Sequence, residues 1–166
     1  MAATFNWAQK NGSGGTLTVL GASGNLFDFK SIDTAGIGDY ASNPVTAGNA
    51  SFECWLKAAF TGSFNRIDGL RFWLSTDFSP NTGLSLFWTG TQVTYLQPAA
   101  GTSSIATSSI PTADPGTTNV TIGGNLSGSL VAAGYSDHIV LQLRTTTAAA
   151  AGDTSLATFT LSYNEN

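Results

Sequence analysis

The feature that most constrains the fold of this chain is the strict alternation of side chains over residues 51–78. In the first part, one face of the pattern carries five apolar side chains, namely Phe52, Cys54, Leu56, Ala58 and Phe60. In the second part, Leu70, Phe72 and Leu74 share a face. A period of two residues is typical of β-strands that bury one face. The stretch therefore predicts two long neighbouring strands, joined by a short connection.

Shorter patterns of the same kind recur along the chain, separated by residues that favour turns. They predict further strands at 16–20, 25–32, 84–90, 91–97, 119–124, 136–147 and 155–165, with a tight turn around Gly90. Residues 125–135 predict at most one helical turn. About eight strands without a long amphipathic helix indicate an all-β protein, an antiparallel β-sandwich or jelly-roll-like fold.

The 166 residues are enough for one domain with its own core. We expect an extended N-terminal arm at 1–15 and a single β-sandwich domain at 16–166. The core is expected to contain Phe52, Leu56, Leu70, Phe72, Leu74, Leu86, Ile139, Leu141, Leu143, Phe159 and Leu161.

The expected arm carries Phe5 and Trp7 in a short alternating segment that ends at the glycine-rich break over 11–15. It has too few apolar side chains to fold alone, yet both aromatic rings are costly to leave in water. Two alternatives follow. The segment either reaches a neighbouring molecule, or it adds an edge strand to its own sheet, and both bury Trp7.

Composition narrows the classes of partner. Charged residues make up 10% of the chain, against roughly 25% in an ordinary soluble protein. The net charge is −4 and no basic patch is present, so nucleic acid is not an expected partner. The sequence has no apolar run long enough to cross a bilayer and no pattern of a secretory signal peptide. We therefore expect synthesis in a cytoplasm and no membrane partner.

Three adjacent residues, Ser136, Asp137 and His138, have the side chains of a catalytic triad. Adjacent residues on a strand point to opposite faces, whereas triad members converge from separate segments. His138 is also the only histidine, which removes most general-base and zinc schemes. The single cysteine, Cys54, lies on an apolar face and is expected to be a buried, inert thiol.

Carboxylates offer two further hypotheses. Asp28, Asp33 and Asp39 could gather around calcium, but their spacing matches no calcium loop, and turn formation is the preferred interpretation. Glu53 and Asp68 could form the pair of a glycosidase, but solvated or paired surface charges are the preferred interpretation. We therefore expect no catalytic residue, no metal and no cofactor, and a protein that is not an enzyme.

The large aromatic side chains remain as candidate interface residues: Phe5, Trp7, Trp55, Trp73, Trp88 and Tyr95. An aromatic ring on an otherwise polar face marks either a binding patch or a second packed layer. Packing beneath the long loops is the alternative for each of them.

Four ordered segments give the chain a resemblance to structural proteins of tailed-bacteriophage virions. They are TFNWAQKNGSGGT at 4–16, VTAGNASFECWL leading into FTGSFNRIDGLRFWLS at 45–75, YSDHIVLQLRT at 135–145 and FTLSYNEN at 159–166. The resemblance implies a small β-sandwich protein of the particle, and in particular a cement or decoration protein on the capsid exterior. Implied partners are the major capsid protein and copies of the same chain, as a dimer or trimer.

Other functions stay open at this point. A neck or tail component of the virion would have the same features. A carbohydrate-binding β-sandwich would use Trp55, Trp73 or Trp88 to stack on sugar rings. A small hydrolase is the third alternative.

Overall fold

The computed structural model describes residues 2–150, 152 and 154–166. Among them the chain is all-β and has one short 3-10 turn, at Gly21–Ser23. The strands are β1 (Thr4–Asn11), β2 (Thr16–Val19), β3 (Cys54–Thr61), β4 (Ile67–Thr76), β5 (Leu84–Gln92), β6 (Ser108–Ser109), β7 (Gly134–Tyr135), β8 (His138–Thr145) and β9 (Thr158–Glu165). The all-β prediction is confirmed, with nine strands where about eight were expected.

The strands form two open antiparallel sheets. The larger sheet has the order β2-β1-β3-β8-β5-β6, and β7 pairs with β3. The smaller sheet contains β4 and β9. The two strands of the 51–78 stretch are therefore not neighbours, because the connection over 62–66 carries the chain from one sheet to the other.

A single hydrophobic cluster joins the facing sides of the two sheets. Phe72 of β4 lies at its centre, with ring centroids 5.7 Å from Trp7 of β1, 5.7 Å from Trp88 of β5 and 5.8 Å from Phe159 of β9. Every residue of the expected core belongs to this cluster except Phe52, which is half-buried outside it. The alternation along the strands thus predicted the inward faces correctly.

The N-terminal segment requires a correction, because residues 4–11 do not form an arm. Strand β1 lies inside the larger sheet, between β2 and β3, with Trp7 opposite Ala58. Trp7 is 5% exposed and Ala8 is completely buried. The physical reason is that this strand buries Trp7 against Phe72 while both of its edges are hydrogen-bonded.

Several predicted elements are also absent. Residues 25–32 form no strand, although Phe27 and Phe29 pack on the core cluster. Strand β5 continues through Gly90, where a tight turn was expected. Glycine is required there because an added Cβ would collide with the carbonyl of Asn119. Residues 119–135 contain only isolated bridges and the two-residue strand β7, with no helical turn.

The position of β1 predicts the effect of an N-terminal truncation. A chain that starts at Thr16 lacks the strand that covers β3 and loses the Trp7 ring from the core. Deletion of a buried tryptophan side chain alone costs about 3–5 kcal/mol, which is comparable to the stability of many domains. We therefore expect the truncated chain to give no cooperative thermal unfolding transition by circular dichroism.

The control is a chain that starts at Ala3 and keeps all of β1. It should melt like the full-length protein. Native circular dichroism and a cooperative transition in the chain that starts at Thr16 would show that β1 is dispensable for folding, and would restore the arm interpretation.

Candidate protein interface

The six candidate aromatic residues divide into two groups. Trp7, Trp55 and Trp88 are buried, with exposed fractions of 5%, 0% and 7%. Phe5, Trp73 and Tyr95 are half-buried. The three buried tryptophans are therefore packing residues of this chain. Their prediction as interface residues is corrected.

Trp55 lies on the outward side of the larger sheet. It packs beneath a long loop, which was the alternative to an interface role. It forms a second cluster with Ala106 and Val140, separate from the main core. Its ring lies 5.2 Å from Tyr95 and 5.4 Å from His138, measured between centroids. The loop that includes Ala106 therefore covers the outward face of β3 and β8.

Glu53 connects this loop to the sheet, which corrects the expectation of a surface charge. The side chain is 4% exposed. Its carboxylate accepts hydrogen bonds from Trp55 Nε1 at 2.9 Å, from the Ala99 N–H at 3.2 Å and from Ser103 Oγ. The carboxylate thus uses its lone pairs on three donors from the strand and the loop.

Asp68, the other carboxylate of the hypothetical glycosidase pair, lies in the other sheet. It contacts Arg66 Nε at 2.5 Å and accepts from Asn164 Nδ2 at 3.0 Å. Asp68 is therefore a paired charge, as expected. Glu53 directly precedes β3 of the larger sheet and Asp68 lies on β4 of the smaller sheet, so the structure does not bring them together as two opposed carboxylates.

Ser136, Asp137 and His138 do not form a triad among the described residues. Ser136 Oγ accepts from the Ala58 N–H at 2.9 Å and donates to the Asp137 carbonyl at 2.7 Å. Asp137 Oδ2 accepts from the Gly124 N–H at 2.7 Å. These bonds fasten the start of β8 to its surroundings, as a polar strand entrance would.

His138 is 2% exposed and packs against Trp55 and Tyr95. Its Nδ1 lies 3.0 Å from the Gln92 carbonyl, and its buried Nε2 has no hydrogen-bond partner in the described chain. Burial, assisted by the charge of Lys57, lowers the pKa of His138 to about 4. The imidazole is therefore neutral at physiological pH.

Asp28 and Asp39 accept hydrogen bonds from groups of the same loop, as the turn interpretation expected, whereas Asp33 accepts from the connection between β1 and β2. Asp28 Oδ2 accepts from the Gly38 N–H at 2.9 Å, Asp33 Oδ2 accepts from the Gly12 N–H at 2.7 Å, and Asp39 Oδ2 accepts from Thr34 Oγ1 at 3.0 Å. Within the described residues, no group of three or more His, Cys, Asp or Glu side chains could hold a metal ion. Burial raises the pKa of the nearby Cys54 thiol to about 12.

The smaller sheet is protected on one side only. Strand β4 pairs with β9 on one edge, and the irregular segment 111–120 covers its other edge. The Leu74 N–H donates to the Pro111 carbonyl at 2.9 Å. The Phe72 N–H donates to Asn119 Oδ1 at 2.8 Å, and Asn119 Nδ2 donates to the Phe72 carbonyl at 2.9 Å. The Asn119 side chain thus substitutes for a residue of a third strand.

These bonds also determine the orientation of β9. Because the backbone groups of Phe72 and Leu74 point away from β9, they belong to non-hydrogen-bonded pairs of the ladder. Their partners are Leu161 and Phe159, whose N–H and C=O groups must therefore point to the free side of β9. Alternation along the strand gives Tyr163 the same orientation.

We call these three residues, Phe159, Leu161 and Tyr163, the β9 edge. In the part of the chain that the structure describes, their outward N–H and C=O groups have no hydrogen-bond partner. Their side chains pack on the core but remain half-buried. Leu156, just before the strand, is 79% exposed. The β9 edge thus combines free backbone groups with accessible apolar surface, a combination that accepts an added strand.

The sequence showed part of this site. The alternation over 155–165 predicted the strand and its inward Phe159 and Leu161. It did not show which side of the strand is free, because edge position depends on pairing with distant segments. The absence of charge from 156–164 was the available signal, since natural edge strands often carry charged residues.

No helix among the described residues is long and apolar enough to cross a membrane. No protein-family model, no curated protein and no solved structure matches this chain.

The buried carboxylate predicts the effect of Glu53→Gln. The amide keeps one acceptor oxygen but turns two N–H donors towards groups that themselves donate. An unsatisfied buried polar group costs about 1–3 kcal/mol, so we expect a loss of this size in denaturant unfolding. Amide exchange at Ser103 and Ala106 should accelerate most, because the carboxylate fastens this loop.

The control Asp114→Asn changes an exposed carboxylate and should lose less than 1 kcal/mol. Equal losses in both variants would contradict the role of Glu53.

His138 predicts a pH dependence of stability. Its pKa is about 4 in the folded protein and about 6.5 in the unfolded chain, so the unfolded chain takes up the proton first as pH falls. Stability from this group is complete above pH 6.5 and decreases towards pH 4, by on the order of 3 kcal/mol.

The variant His138→Phe keeps a ring beside Trp55 and Tyr95 and lacks the titration. The free energy of unfolding of both proteins should be measured from pH 7.5 to 4 by chemical denaturation. The wild-type protein should lose more stability over this interval than the variant, because the carboxylates are common to both. Parallel curves would show that the histidine is not held neutral.

Proposed function

We propose that this protein is a structural protein of a tailed-bacteriophage virion, and that it acts as a cement or decoration protein on the capsid exterior. In this proposal the two facing sheets form a β-sandwich that binds the major capsid protein and other copies of the same chain, as a dimer or trimer. It is synthesised in the bacterial cytoplasm and functions through protein–protein contacts.

The observation that carries this proposal is the β9 edge. Unpaired N–H and C=O groups beside half-buried apolar side chains are suited to pairing with another polypeptide. The 10% content of charged residues adds to this, because a weakly charged surface is inexpensive to desolvate in a lattice of subunits. The ordered segments that resemble virion proteins give the proposal its biological context.

The arrangement of the basic side chains supports proteins rather than nucleic acid as partners. Each of the six lysine and arginine side chains is engaged by a carboxylate or an aromatic ring within the chain. The pairs are Lys10 with Tyr95, Lys30 with Asp39, Lys57 with Tyr135, Arg66 with Asp68, Arg71 with Asp114 and Arg144 with Phe87. This distribution leaves no cluster of free cations for phosphate neutralisation among the described residues.

A carbohydrate-binding module is the second candidate, and one observation favours it. Trp73 is half-buried on the outward face of the smaller sheet, where a sugar ring could stack on it. Trp55 and Trp88 are buried by the chain itself and are not available for stacking in this conformation. The module would therefore depend on a single tryptophan.

The proposal is tested on virions of the phage that encodes this chain. Mass spectrometry of purified particles should find the protein in a fixed ratio to the major capsid protein, and purified protein should co-sediment with shells that lack it. Trp73→Ala should leave this binding unchanged. Absence from virions, together with glycan binding that Trp73→Ala abolishes, would replace the proposal by the carbohydrate-binding function. Presence in isolated necks or tails, and not in shells, would move the protein to those parts of the virion.

A further inference from the structure

We propose that β9 pairs with β9 of a second copy of this chain, in antiparallel orientation, about a two-fold axis at Leu161. The inference rests on the proposed function and identifies one partner of the β9 edge. The result is a continuous smaller sheet with the order β4-β9-β9-β4, in which the two middle strands belong to different molecules.

The register follows from the orientation of the strand. An inward side chain must lie opposite an inward side chain, so an odd-numbered residue of β9 pairs with an odd-numbered residue of the other copy. The same odd-numbered residues direct their N–H and C=O groups to the free side. Backbone geometry and side-chain orientation therefore agree on the same set of registers.

Among these registers, only the one centred on Leu161 pairs the three residues of the β9 edge with one another. Leu161 lies opposite Leu161, and Phe159 lies opposite Tyr163 of the second copy. Three such pairs supply about six hydrogen bonds. A shift of the centre to Ser162 would place Phe159 opposite Glu165, and a shift to Thr160 would place Tyr163 opposite Ala157, outside the strand.

Charge favours a second copy as the occupant. Residues 156–164 carry no charged side chain, so the central pairs bring no like charges together. Glu165 falls opposite Ala157, and its carboxylate accepts from the Ala3 N–H of its own chain at 2.8 Å. Antiparallel strand edges that are long, uncharged and apolar on one face are the usual sites of edge-to-edge association.

The pairing also covers the apolar surface that the smaller sheet leaves open. Phe159 and Tyr163 are half-buried in one copy, where no strand of the described residues lies beyond β9. In the pair, the Phe159 ring of one copy lies beside the Tyr163 ring of the other copy, on the inward side of a four-stranded sheet. On the outward side, Thr160 lies opposite Ser162 in a non-hydrogen-bonded pair, with Cα atoms about 4.5 Å apart.

A disulfide between these outward positions tests the register. Equal amounts of Thr160→Cys and Ser162→Cys proteins are mixed and oxidised mildly, since the expected Cα separation is within the range for a disulfide. We expect a disulfide-linked dimer that joins one variant to the other. Cys54 should not compete, because its thiol is 4% exposed and its pKa is raised to about 12.

The matched control is Ser75→Cys mixed with Ser162→Cys. Ser75 Oγ accepts from Thr160 Oγ1 at 2.8 Å, so Ser75→Cys alters the same hydrogen bond as Thr160→Cys but lies on β4, away from the free edge. This mixture should give no linked dimer. Equal linkage in the two mixtures, or linkage that peptide mapping assigns to other positions, would overturn the register.

Amide hydrogen exchange of the wild-type protein gives an independent test. Protection at Phe159, Leu161 and Tyr163 should increase with protein concentration, in parallel with dimer formation in sedimentation equilibrium. Thr160 and Ser162 already bond to β4 and should be protected at every concentration. A monomer at all concentrations with rapid exchange at the β9 edge would overturn the inference.

These results are separable from those for the proposed function. A β9-linked dimer that does not bind shells would overturn the virion proposal and leave the pairing intact. Shell binding by a protein that remains monomeric would overturn the pairing and leave the virion proposal intact. Protection of the β9 edge that appears only when shells are added would show that the capsid protein supplies the strand, and would overturn self-pairing.

Discussion

The structure depends on the packing of one ring, Phe72, between the two sheets. Its side chain is completely buried and contacts Trp7 and Trp88 of the larger sheet and Phe159 of its own sheet. A two-stranded sheet has little stability alone, so β4 and β9 depend on this contact for their position. Asn119, which bonds both backbone groups of the same residue, fixes the strand that carries the ring.

Sequence reasoning predicted the parts of this arrangement that depend on local periodicity. It predicted the inward faces of β3, β4, β8 and β9 because a period of two residues is a property of each strand by itself. It predicted the pairing of β3 and β4 incorrectly, because the short connection between them allows either a hairpin or a passage to the other sheet. The role of β1 was missed for a related reason. Trp7 indicates that its segment is buried, but the sequence does not show whether the same chain or another molecule buries it.

The candidate site was predictable only in part. Trp55 and Glu53 lie on the polar side of the alternation over residues 51–60, and the loop that contains Ser103 covers them. A strand that is buried on both faces has the same alternating sequence as a strand with one exposed face, when the second buried face makes polar contacts. The tertiary position of an irregular loop leaves no periodic signal in the sequence, so the sequence did not show that Trp55 is a packing residue beneath that loop.

The two edges of the smaller sheet show how the chain manages exposed backbone. On the β4 side, segment 111–120 and the Asn119 amide satisfy the outward groups without adding a strand. On the β9 side, the described chain provides no such cover, and no charged side chain lies between residues 156 and 164. Exposed strand edges are usually shortened, charged or covered in monomeric proteins. This chain covers one edge with a dedicated segment, and the uncovered, uncharged edge keeps the free backbone groups that the proposed pairing of β9 with β9 would use.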